Sequence, residues 1–82
     1  MGVAVILQTH MKPGDLIRSK YSIFIYVDRV CVDTHRRAAS WKLEENDLVL
    51  IIAQFGDIGE ELLVMTDDGK LGWTWVGFFE AT

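Results

Sequence analysis

Cysteine and proline occur once each in this 82-residue chain, and histidine twice. A lone thiol, Cys31, can close no internal disulfide and build no multi-thiolate metal site. Flanked by Val30 and Val32, it reads as a small buried hydrophobe in a reducing compartment. His10 and His35 have no cysteine or second histidine at ligand spacing, so no metal or other cofactor is expected. Cys31 and His35 stand four apart with no group to orient them, and no serine–histidine–aspartate set can be assembled. The expectation is a protein that is not an enzyme. No apolar run approaches the roughly 20 residues of a membrane span. The opening Met1-Gly2-Val3-Ala4-Val5-Ile6-Leu7 lacks a positive start and is too short for a signal core, which points to a cytoplasmic protein.

Basic residues are scarce in the second half. Residues 1–42 hold seven Lys/Arg against three Asp/Glu (+4), and residues 43–82 hold one against nine (−8), together the net −4. That acidic balance opposes broad contact with a phosphate backbone, so nucleic acid is not an expected partner. Asymmetry between halves favours pairing across the fold or self-association. With one proline and seven glycines there is no linker or low-complexity tract, so residues 1–82 form a single domain. Half of the residues are apolar, a high share for a domain that buries only about 60% of its unfolded surface. Either the core is dense, or a second copy of the chain covers some of that surface in a homo-oligomer.

The pattern along the chain is β throughout. Residues 1–10 contain an apolar strand or an arm ordered by contact with something else. Lys12-Pro13-Gly14-Asp15 is a turn, because proline presets φ and glycine supplies the corner. A strand starts at Leu16-Ile17-Arg18 and continues after Ser19-Lys20 through Tyr21 to Val27. In that run Ile23, Ile25 and Val27 point one way, and Phe24 and Tyr26 the other. Two apolar faces imply burial on both sides or one face left for a partner. Residues 28–41 read as a long loop with a basic cluster of Arg29, Arg36 and Arg37, joined by Lys42. Glu44-Glu45-Asn46-Asp47 is an acidic turn. Residues 48–53, apolar without interruption, read as a central strand, and residues 54–59 as a glycine-punctuated loop.

Residues 61–79 organise the rest. A short apolar run ends at Asp67-Asp68-Gly69, a strong hairpin signal, since glycine accepts the positive φ that such turns require. The paired carboxylates are explained by that turn. On the returning strand Leu71, Trp73 and Trp75 alternate with Lys70, Gly72 and Thr74, so three large apolar groups share a face. A hairpin alone does not survive in water, so other strands must cover it. Alternation thus sends Trp73 and Trp75 toward the core. Three tryptophans in 82 residues nevertheless exceed what so small a fold can bury, which leaves one or two for a surface. The total is five or six short strands and no helix of normal length, an all-β small barrel.

Residues 42–52 with residues 63–73, ending in Asp68-Gly69-Lys70-Leu71-Gly72-Trp73, resemble the second half of a bacterial Src-homology-3-like (SH3-like) domain. The likeness covers roughly residues 42–80. Lys12-Pro13-Gly14-Asp15-Leu16-Ile17-Arg18 is similar, less specifically, to the openings of small barrel proteins encoded by bacteriophages, which would make the protein virion-associated. The resemblance implies a five-stranded barrel that binds peptides, cell-wall fragments or partner proteins without doing chemistry. It places Trp75 where the family's groove carries a proline and Phe78 where it carries a tyrosine. The groove's conspicuous tryptophan at the start of the third strand has no counterpart, since Glu61-Leu62-Leu63 stands there.

Two functions of different class follow. The first is a module engaging a protein or peptide partner through an aromatic surface of Trp41, Trp73, Trp75, Phe78 and Tyr26, since tryptophan is enriched where interfaces carry their energy. The second is a structural, self-associating protein with no small ligand. Single-stranded nucleic-acid binding through stacking aromatics and the basic cluster ranks below both.

Overall fold

A computed structural model describes residues 11–28 and 40–82. Among the described residues seven antiparallel strands make one sheet: β1 (Leu16–Ser19), β2 (Ile23–Tyr26), β3 (Ser40–Leu43), β4 (Leu48–Phe55), β5 (Glu61–Met65), β6 (Leu71–Trp75) and β7 (Phe79–Ala81). A single 3₁₀ turn, Val76–Phe78, links the last two. There is no α-helix among the described residues. The order across the sheet is β3-β2-β6-β5-β4-β1-β7, and among the described residues no ladder joins β3 to β7, so the sheet they form is open. Three of the seven were not expected as separate strands.

The run from Leu16 to Val27 is two strands rather than one. It breaks at residues 20–22, after which β1 pairs with β4 and β7 while β2 pairs with β3 and β6. β3 is the second addition, since Ser40 and Trp41, expected at the end of the loop over residues 28–41, pair with Tyr26 and Ile25 instead; the last three-residue strand is the third. The expected loop at residues 54–59 begins later than its glycines indicated, because Gln54 and Phe55 continue β4 opposite Leu62 and Glu61. Residues 29–39 of the long loop, which include Arg29, Cys31, His35, Arg36 and Arg37, lie outside the described residues, as do His10 and the N-terminal strand or arm.

Local chemistry accounts for the turns. Asp15 N–H donates to the Lys12 carbonyl at 3.0 Å, with Gly14 at φ 95°. The acidic turn closes by Asp47 N–H to Glu44 O at 3.1 Å, while the Asp47 carboxylate accepts from Glu44 N–H at 2.9 Å. Asn46 sits there at φ 76°, a conformation asparagine tolerates better than most residues. Between β5 and β6, Gly69 adopts φ 88° and donates to the Thr66 carbonyl, and Thr66 N–H bonds Lys70 O at 2.9 Å.

Ile17, Ile25, Leu43, Val49, Ile51, Leu62, Val64 and Phe79 form one buried cluster. Every strand except β6 contributes to it. Both edge strands do so, through Leu43 and Phe79, which requires the open sheet to curl around a common core. β4 is central, as expected, with β1 on one side and β5 on the other. Its apolar run is not buried throughout: Val49 and Ile51 point inward, while Leu48 and Ile52 are exposed. A register shift between Ile51 and Ala53 re-phases the strand there, as a β-bulge does.

Candidate functional site

The packing of β6 decides where the aromatic residues go. Its inward positions are Gly72 and Thr74, both buried, and its outward ones are Leu71, Trp73 and Trp75. The core space over β6 is filled from β2: a Cβ placed on Gly72 would lie 2.6 Å from Ile25 Cδ1 and Cγ1 and 2.9 Å from its Cβ. Contacts that short are not tolerated, so glycine here records close approach of another strand's side chain. The expectation of the tryptophan-bearing face turned to the core is therefore reversed. All three tryptophans are half-buried and none belongs to the core cluster.

Register then assembles an outer face. Tyr26 of β2 and Leu63 of β5 flank Trp73 of β6 as direct partners, with Ala53 of β4 beyond Leu63. The ring of Phe55 meets Trp73 at 5.3 Å between centroids with planes tilted by 47°, a favourable aromatic geometry. In the next row Trp75 pairs with Glu61, which pairs in turn with Phe55. Glu61 is buried there. In the row on the other side, Leu71, Met65, Leu50 and Leu16 are successive partners across β6, β5, β4 and β1. Phe24, on β2 with Tyr26 and opposite Lys42, extends the face and is more than half exposed.

Of the five aromatic residues singled out from the sequence, this geometry brings together Tyr26, Trp73 and Trp75. Trp41 is elsewhere. Its indole packs against the core, Nε1 donates to the Leu71 carbonyl at 3.0 Å, and the Lys70 ammonium sits 4.8 Å from its ring centroid. Trp41 thus reaches over β2 to tie edge strand β3 to β6. Phe78 lies in the 3₁₀ turn beside Lys20, whose N–H bonds its carbonyl at 2.9 Å. Tyr21, next in the chain, is exposed, with the Lys20 ammonium 6.0 Å from its ring centroid. Phe55, Leu63 and Phe24 were missed as members of the outer face. Alternation of Ala53 with Phe55 was a usable signal, hidden by the glycines that follow.

The polar surroundings are mostly committed. Lys42, the described member of the basic cluster, approaches Glu44 at 3.9 Å, and Arg18 pairs with Glu80 at 2.8 Å across β1 and β7. A cleft of about 220 Å³ between β3 and the β5–β6 turn is lined by Trp41, Leu43, Asp47, Asp67, Asp68 and Lys70 among others. The Asp47 and Asp68 carboxylates serve local structure, the first accepting from Glu44 N–H. The Thr66 hydroxyl bonds Asp68 and, with Lys70, holds that carboxyl below the ordinary aspartate value. Among the described residues no three His, Cys, Asp or Glu side chains are grouped to hold a metal ion, and no helix is long and apolar enough to cross a membrane.

Comparison with protein-family models, curated proteins and solved structures finds no match to this chain.

Proposed function

We propose that this chain is a non-catalytic interaction module on a small SH3-like barrel, engaging a protein or peptide partner through the outer face of β2, β6, β5 and β4. The observation that carries this reading is the inversion of β6. Its two tryptophans face outward beside Tyr26, Leu63 and Phe55, while glycine and threonine take the inner positions. Large aromatic groups left half-covered in adjoining rows match the composition of interface centres, where Trp and Tyr are enriched and charged residues depleted. The barrel reading draws on Leu43 and Phe79, which bring both edge strands to one core, and on the Trp41 bond to Leu71. Lys42 and Arg18 stand opposite carboxylates, which leaves them poorly suited to a phosphate chain.

Panning a random-peptide library against the intact chain and against Trp73→Ala tests the peptide form of this reading. Peptides that bind the first and lose at least about tenfold in affinity for the second, with the far-ultraviolet spectrum unchanged, are the expected result. Enrichment that ignores Trp73, or none at all, would remove it.

A further inference from the structure

We infer that Asp68-Gly69, at the tip of the β5–β6 hairpin, is a site of covalent modification by isoaspartate formation, and that the Thr66 hydroxyl holds it in check while the chain is folded. The site is a turn and is independent of any partner of the outer face.

Asp68 alone among the chain's aspartates is followed by glycine. The reaction runs between these two neighbours. The Gly69 backbone nitrogen attacks Asp68 Cγ, an N–Cγ bond forms, and the amide hydrogen leaves with the carboxyl hydroxyl as water. The resulting five-membered imide then takes water back. Breaking the new N–Cγ bond restores aspartate. Breaking the bond from that nitrogen to the Asp68 backbone carbonyl carbon leaves the chain running through Cγ, which is isoaspartate. A side chain on the following residue crowds the attack, as at Asp15-Leu16, Asp47-Leu48 and Asp57-Ile58, and glycine has none.

Burial does not protect this bond. The Asp68 side chain is 56% exposed, and a Cβ placed on Gly69 would meet no atom within 4 Å. Hydrogen bonds do the protecting, and both reactive groups are tied to Thr66. The attacking Gly69 N–H donates to the Thr66 carbonyl at 3.0 Å. The Thr66 hydroxyl donates to Asp68 Oδ1 and accepts from the Lys70 N–H at 3.0 Å, which fixes its orientation. The Lys70 ammonium stands 3.3 Å from Asp68 Oδ2. A donor and a cation on the charged form favour that form, and the ionised carboxylate has no hydroxyl to lose. Isoaspartate would add a methylene to the main chain and carry the carboxylate away from the Thr66 hydroxyl. The change would fall beside the Met65–Leu71 pair that closes the hairpin.

Ageing the full-length chain in warm, neutral buffer tests both the site and its protection. Isoaspartate is counted by enzymatic methylation and located by peptide mapping, in the native chain, Thr66→Val, Thr66→Ser and Asp68→Glu, with circular dichroism reporting the fold. The expected result is formation at Asp68, faster in folded Thr66→Val by about threefold or more, the scale of one lost hydrogen bond. Thr66→Ser keeps the hydroxyl and should age like the native chain. Asp68→Glu, too long to close the five-membered ring, should lose the signal. A folded Thr66→Val that ages no faster than the native chain overturns the protective role, as does a Thr66→Ser that ages like Thr66→Val. The native chain in urea gives the unprotected rate without any substitution, and a folded rate equal to it also overturns the protection. Isoaspartate that arises chiefly at another aspartate, or persists in Asp68→Glu, overturns the site.

Discussion

The two faces of the β5–β6 hairpin are built from alternate residues of the same strands, yet they differ in what limits them. Inside, Leu62, Val64, Gly72 and Thr74 are buried against β2 and β4, and space is so short that one position holds no side chain at all. Outside, Leu63, Met65, Leu71, Trp73 and Trp75 lie in registered rows with water still reaching them. Volume governs the first face and the identity of whatever covers it governs the second. Size alone is therefore a poor guide to burial in so small a fold: the largest side chains stand where there is room, not where there is most shelter.

Adjacent residues give the sharpest way to break this contrast. Leu62→Ala should cost about 2–5 kcal/mol, the range for emptying a fully buried leucine site. Leu63→Ala, one residue along and half-covered, should cost about 1 kcal/mol in a dilute sample. Denaturant unfolding of both variants at two protein concentrations decides it. A loss for Leu63→Ala that grows with concentration marks an interface, since association stabilises by mass action. Equal, concentration-independent losses would mean that both faces are core.

Gly72→Ala probes the inner face from the other direction. The added methyl meets the stem of Ile25, and overpacking of this kind typically costs about 1–3 kcal/mol. Higher β propensity of alanine would give a small gain instead if Ile25 could move aside, so an unchanged or raised melting temperature would contradict the tight contact. The smallest effect is expected at Thr74, whose buried hydroxyl has no hydrogen-bond partner among the described residues. Thr74→Val keeps the shape and removes the unmet group, gaining about 1 kcal/mol. For a domain of this size that is a rise of roughly 4–8 °C in Tm. A fall would show the hydroxyl to be satisfied.

Much of the fold was legible because its signals are local. The three turns at residues 12–15, 44–47 and 66–70 follow from residues that accept positive φ or bond their own backbone. The alternation of β6 correctly placed Leu71, Trp73 and Trp75 together. Which side of the sheet they took was not legible, since period-two alternation is symmetric with respect to inside and outside. Hydrophobicity argued for inside, and Ile25, 47 residues away in the chain, decided otherwise. The candidate site fared similarly. Tyr26, Trp73 and Trp75 were picked for their type, whereas Phe55 and Leu63 joined them only through strand pairing. Trp41 was picked on the same grounds and is drawn off to bond the Leu71 carbonyl.

By itself, the order of residues determined that this chain makes short strands, where most of them turn, and which side chains share a face, because each depends on backbone preferences over a few positions. Tertiary structure alone decided which face is the core and which rows line up on the outside. Those outcomes depend on side chains from distant strands competing for one small interior, and no local pattern records who wins that volume.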